Sequence, residues 1–224
     1  MRLPCILSAT VAAVTLFAAP GCTRAVTGTP VAGAHPAAAA APKSGAAPPK
    51  ISVCKQVSPP LSSIESRSPT EPVLRIPQPS GWQQTSMLDS ELIRFAMSNA
   101  GLAGNGFMPT AVVTFESASG TNQDQEEIID QERTTLVDRL GVTNLRRTDT
   151  TLCGQRAQVV SYDAPAMDQI PPRKAKTLIV VAAFSGNTYA VTVTVQAADP
   201  DNPTYLRDTQ AILTGFQMLP PDAG

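Results

Sequence analysis

Reactive side chains are few in this sequence, and where they sit limits the chemistry. The one histidine, His35, stands in PVAGAHPAAAAAP. Ser-His-Asp and Cys-His mechanisms need an imidazole on a rigid scaffold, so they are excluded, together with histidine-based zinc sites. No G-x-x-x-x-G-K-[ST] loop occurs, and GLAGNG (101–106) follows no convincing strand, which a dinucleotide fingerprint would require. Carboxylates remain. The run DQEEIIDQE (124–132) reads as the first turns and solvated face of a helix. Asp163 and Asp168 flank a loop ending in Pro171-Pro172 at no recognised spacing. A paired-carboxylate hydrolase built on them stands third among the readings, because one Trp and three Tyr leave few platforms for a sugar ring. The sequence predicts no catalytic residue, no metal site and no cofactor.

The cysteines carry more information. Cys22 closes LFAAPGC (16–22), behind Arg2 and the apolar stretch Ile6–Ala19. This is the layout of a bacterial export signal over 1–21, too short for a membrane span. Small residues before Cys22 resemble a lipobox, with Ala19 where an aliphatic residue is usual and Pro20 an uncommon neighbour. Cys22 is therefore the expected lipidation site. Cys5 leaves with the signal, and an acylated Cys22 leaves two thiols in an oxidising compartment, where disulfides persist. The expected pair is Cys54–Cys153.

Residues 22–50 hold that cysteine and TRAVTGTPVAGAHPAAAAAPKSGAAPPK, with no acidic and no aromatic side chain. Pro, Ala and Gly at this density predict a disordered tether. Residues 51–72 read as a lead-in and 73–219 as one folded domain. With 17 basic against 18 acidic residues the chain has no electrostatic footprint for nucleic acid.

The elements that must position any site follow from periodicity. VLRI (73–76), PTAVVTFE (109–116) and RAQVVSY (156–162) read as strands. Residues 124–140 read as a helix with Ile129, Leu136 and Leu140 on one face, Val137 beside them, and Gly141 as its stop. KTLIVVAAF (176–184) and TYAVTVTVQ (188–196) flank Ser185-Gly186-Asn187 as a hairpin. The first arm is apolar on both faces, as in a central strand, and the second alternates. Asp201-Asn202-Pro203 opens a second helix with Leu206, Thr209, Leu213 and Phe216 inward and Gly215 closing it. Hairpin-linked strands with two helices predict an α+β fold on an antiparallel sheet. Met residues at 87, 97, 108, 167 and 218 read first as core fillers and second as the lining of an adaptable apolar pocket.

LRIPQPSGW (74–82) resembles the I-P-x-P-x-G-W opening of the LpqN/LpqT-type lipoproteins of mycobacteria and relatives. NTYAVTVTVQAADPDNPTYL (187–206) and AILTGFQM (211–218) are similar to that family's strand, acidic turn and I-L-x-G-F helix. CGQRAQVVSY (153–162) is similar to its mid-domain strand, with Cys153 where many members have no cysteine. The resemblance covers about 73–218. It implies a PsbP/Mog1-like fold, a twisted antiparallel sheet with two main helices packed on it. It also implies a non-enzymatic cell-envelope lipoprotein, anchored to the outer face of the membrane by its N-terminal lipid. The expected role is a monomeric binding module for a hydrophobic ligand or an envelope transport partner in lipid trafficking. The alternative is a surface interaction protein, antigen- or adhesin-like, without a small ligand. Trp82 is the one motif side chain with ligand potential, and packing is its bland role.

Overall fold

The computed structural model describes residues 54–119 and 124–223. The expected signal peptide, Cys22, the tether and His35 lie outside them. A seven-stranded antiparallel sheet organises the domain, in the order β3 (Gln83–Gln84), β4 (Ile93–Ser98), β5 (Thr110–Ser119), β9 (Asn187–Ala197), β8 (Arg173–Phe184), β7 (Gln155–Ala164), β6 (Thr143–Leu152). A second sheet of three strands has β2 (Val73–Pro77) between β1 (Leu61–Ile64) and β10 (Gln217–Leu219). With α1 (Gln125–Leu140) and α2 (Pro203–Gly215) the architecture is α+β.

The large sheet is buried on both faces at its centre because β8 is apolar on both. Leu178, Val180 and Ala182 enter one buried cluster; Ile179 and Val181 enter the other. The first face meets Ile64, Leu74, Ile76 and Met218 of the small sheet and Tyr205, Ile212 and Leu213 of α2. Strand β9 sends Tyr189, Val191, Val193 and Val195 to this face, while Thr192, Thr194 and Gln196 stay half-exposed. The alternation read from the sequence is therefore the physical one.

Two tight turns fix the registers. Ser185 and Gly186, at φ of 51° and 80°, join Phe184 to Asn187. Cys153 and Gly154, at 48° and 82°, join Leu152 to Gln155. Both are two-residue turns with positive φ at each position, the twist that antiparallel arms require. Cys153 sits within the second turn and is disulfide-bonded to Cys54, 99 residues earlier.

Capping follows the expected chemistry. Asp124 accepts from the Glu126 amide, and Gly141 closes α1 in the left-handed region. Asn202 accepts from the amides of Thr204 and Tyr205, with Pro203 at the first position of α2. Gly215 ends α2 for packing reasons, since a Cβ there would run into Val57 and come within 2.8 Å of Pro77 Cγ.

Several expectations shift. On α1 only Ile129 is buried; Leu136 is half-buried, and Val137 and Leu140 are exposed. Leu136 and Leu140 line a concavity on the sheet face instead of closing a core. On α2 the inward residue is Tyr205 rather than Leu206, which is exposed. Of the methionines, Met97 and Met218 are core, while Met87, Met108 and Met167 are exposed. GLAGNG does follow a strand, β4, but leads only into a one-turn 3-10 helix, Ala100–Leu102, and a turn. The segment 51–72 contributes β1 to the small sheet, paired with β2 from Leu61↔Pro77 to Ile64↔Leu74.

Candidate functional site

Helix α1 packs over β7 and β8 but does not extend across β5 and β9. The uncovered half of that face forms an apolar groove of about 410 Å³. Its floor is β-branched: Val112 and Thr114 from β5, Thr192 and Thr194 from β9, Thr177 and Ile179 from β8. The hydroxyls are engaged with one another. Thr114 and Thr192 share a hydrogen bond of 2.6 Å, Thr177 and Thr194 one of 2.9 Å, and Tyr162 reaches Thr177 at 3.2 Å. A floor of this kind satisfies its own polar atoms and leaves carbon for contact. Burial pushes the Tyr162 phenol above its ordinary value despite those partners.

The rim carries the side chains that a core would normally take. Leu92, Leu140 and Met167 line the groove with 46%, 42% and 44% of their surface exposed. Such large apolar groups around one concavity are uncommon on a monomer's surface. At one end, Arg173 donates from Nε to Gln196 Oε1 at 2.6 Å, and its guanidinium is desolvated enough to lower its pKa. Glu132 of α1 also lines the groove. Burial first, and the nearby Glu116 carboxylate second, raise its pKa from the ordinary 4.5.

That shift has a testable sign. A raised acid pKa in the folded state means that the stability contribution is present below 4.5 and lost as pH rises through the folded value. Glu132→Gln is expected to melt with the parent below 4.5 and above it at pH 7. Parallel thermal melts check this, and a variant less stable at pH 7 would overturn the desolvated placement of Glu132.

The residues singled out in the sequence lie elsewhere. Trp82 is buried at 2% exposure, and its Nε1 donates to Asp208 Oδ2 at 3.0 Å. It is a core side chain whose one polar atom is matched. Asp163 accepts from Asn144 Nδ2 at 2.7 Å and pairs with Lys174 at 3.1 Å. The Asn144 amide first, then Lys174, hold its carboxyl below the usual range, the wrong direction for a general acid. Asp168 is exposed at a φ of 51°, in the turn bridged by Met167 and Ile170. Asp163 and Asp201 line a polar recess of about 590 Å³ beside Arg146, Lys174 and Lys176. No group of three or more metal-ligating side chains occurs among the described residues. The sequence reading allowed the methionines, Met167 among them, to line an apolar pocket, but did not locate this groove. Its signal was the Thr-rich face of TYAVTVTVQ, together with an α1 stripe that runs on to Leu140.

Comparison with known proteins places this arrangement. No curated protein matches the sequence significantly. Among solved structures, LpqN of Mycobacterium tuberculosis, described as involved in cell envelope biogenesis, is similar at 15% identity with a TM-score of 0.57, covering 72% of this chain and 91% of that one. The Ran-binding protein Mog1p of Saccharomyces cerevisiae overlaps at 10% identity and a TM-score of 0.44, over 74% and 98%. Cyanobacterial PsbP from Synechocystis overlaps at 12% and 0.41, over 74% and 97%. The sequence of residues 59–219 matches the family described as "Probable lipoprotein LpqN". On that match the chain belongs to the LpqN lipoprotein family.

Proposed function

We propose that this protein is a lipid-anchored component of the cell envelope, acylated at Cys22, whose groove beside α1 holds a hydrophobic ligand in lipid trafficking. The observation that carries the reading is the groove itself: a self-satisfied threonine floor rimmed by exposed Leu92, Leu140 and Met167. Its volume lies in the range of small-molecule sites, which are mostly apolar with a few placed polar groups. Here those polar groups are Glu132 and Arg173. The involvement of M. tuberculosis LpqN in cell envelope biogenesis supports the setting.

The test uses the full chain exported in a host rich in envelope lipids, purified under native conditions and extracted for mass spectrometry. The parent is expected to retain lipid. Thr192→Trp, which fills the groove floor, is expected to lose at least 90% of it. Leu206→Trp, on the exposed side of α2, is expected to keep it. A parent that carries no lipid, or a Thr192→Trp variant that carries as much as the parent, would overturn the reading.

A further inference from the structure

Strand β6 is the end strand of the large sheet, and among the described residues no backbone hydrogen bond reaches its outer edge. It is ten residues long, and all but Leu145 and Leu152 are exposed. A register shift lies between Thr143 and Arg146, so the regular run is Arg146–Leu152. An unpaired regular edge is a template for another strand, and its outward groups can be identified.

The two-residue turn at Cys153-Gly154 closes on the hydrogen-bonded pair Leu152–Gln155. Counting back along an antiparallel ladder, where bonded and non-bonded pairs alternate, β6 directs the amides and carbonyls of Thr151, Asp149 and Arg147 outward. A second copy of β6 related by a two-fold axis must meet outward residues with outward residues. Only registers that pair odd positions with odd, and even with even, are then allowed.

Those registers differ in charge. With Arg146 or Arg147 on the axis, an arginine faces its own copy. With Asp149 on the axis, two carboxylates face each other. With Thr148 on the axis, Arg147 lies opposite Asp149 of the other copy, and this occurs twice by symmetry. Arg147 and Asp149 share the α1 face of the sheet, opposite Val160 and Gln158 of β7. Opposite charges directly across strands stabilise a pair, and like charges destabilise it. Arg147 makes no ion pair among the described residues, and the one recorded bond of Asp149 is from Gln158 at 2.8 Å, to Oδ1 alone.

We propose that β6 is a self-pairing edge: two copies of this chain join antiparallel about Thr148, continuing one sheet through both, held in register by reciprocal Arg147–Asp149 pairs. The assembly is isologous and closes at two, in place of the monomer expected from the sequence. Charges that served only to keep the edge apart would repel in every register; these repel in the neighbouring registers and attract in one. An edge-on contact this short falls below about 1,200 Å², so the dimer is weak in free solution. Confinement of the chain to a surface raises its effective concentration.

The geometry supplies its own trap. On the axis, Thr148 meets its copy in a non-bonded pair with Cα atoms about 4.5 Å apart, within reach of a disulfide. Thr150 meets Arg146, leaving the two Thr150 positions about 13 Å apart along the strands, beyond bridging. The full chain carrying Thr148→Cys or Thr150→Cys is exported into an oxidising compartment and run on a non-reducing gel. Thr148→Cys is expected to run mainly as dimer and Thr150→Cys as monomer. Adding Arg147→Asp to Thr148→Cys is expected to reduce the dimer at least tenfold, and Asp149→Arg on top of that is expected to restore it. Retention of the Cys54–Cys153 bond, read by mass, reports the fold of each variant. A monomeric Thr148→Cys, equal crosslinking at both positions, indifference to Arg147→Asp, or failure of the double reversal would overturn the proposal.

Discussion

Trp82→Ala is expected to cost about 3–5 kcal/mol of stability, the range for removing a fully buried large aromatic. It ranks among the largest single-residue effects in the domain. Two losses combine. The indole leaves a cavity in the cluster that joins the small sheet and α2 to the large sheet. Asp208, 3% exposed, also loses its donor to Oδ2, leaving only Arg207, whose side chain is 71% exposed, on Oδ1. Trp82→Phe separates the two, because it keeps most of the volume and deletes only the N–H. It should cost about 1–3 kcal/mol, the penalty for a buried polar group left short of a partner. Urea unfolding gives both numbers. Trp82 is the chain's one tryptophan, so fluorescence adds an independent check: its emission should resist iodide quenching until the domain unfolds. Quenching of the native protein, or a loss below 1 kcal/mol in Trp82→Ala, would remove Trp82 from the core and return it to the list of ligand contacts.

Cys54→Ala with Cys153→Ala is the second large effect, about 4–5 kcal/mol. The bond closes a loop of 99 residues, and the chain-entropy model gives about 4.7 kcal/mol for a loop near one hundred. Both cysteines are buried in the same cluster as Trp82, so alanine also removes some packing. The variant should unfold at a lower denaturant midpoint. Adding reductant should lower the parent's midpoint and leave the variant's unchanged. A parent that is insensitive to reductant would sink this assignment.

What was legible in the sequence follows physical lines. The β8–β9 hairpin could be read because its apolar residues alternate or run together around a glycine turn. The helix ends at Gly141, Asn202 and Pro203 could be read because these residues act locally, through the backbone beside them; Asp124 was read as part of α1 and is its N-cap. Strand β6 could not, since TNLRRTDTTL has no buried face to impose alternation; it is held by its ladder with β7. Strand β4 was hidden for a different reason. Its register shifts between Ile93 and Phe95, and Arg94 between them is buried by tertiary partners, pairing with Glu71 at 2.6 Å and lying 4.5 Å above the Phe115 ring. A charged residue in that place looks like a break in the period until the partners are known. Cys153-Gly154 is as good a turn as Ser185-Gly186, but cysteine is not a residue that signals turns.

The groove was obscured in another way. The stripe Ile129, Leu136, Leu140 is a sound amphipathic pattern, yet a pattern cannot say where the supporting sheet ends. Ile129 packs in a buried cluster with Ile179 and Val181, whereas Leu140 lines the open groove. The same kind of apolar residue is core at one end of the helix and groove rim at the other. Tyr205 and Asp208 show the converse on α2, where polar groups are buried because Asn202 sets the phase of the helix and Trp82 supplies a partner.

The disulfide also decides how the domain bears mechanical load. Cys54 lies just ahead of β1, and its partner lies in the β6–β7 turn. Tension drawn from the N-terminal side and resisted at the C-terminus would, without the bond, peel β1 from β2 and then extend everything behind it. With the bond intact, the stretch between the two cysteines, which stand 99 positions apart, cannot lengthen, which withholds roughly 350 Å of contour at about 3.5 Å per residue. Only the chain after Cys153 can pay out, β8 and β9 of the groove floor included, while β5 and α1, which lie before that point, remain short under load. Single-molecule stretching in oxidised and reduced buffer should give contour increments differing by that length, so the bond acts as a strain limiter on the segment that runs from β1 to β6.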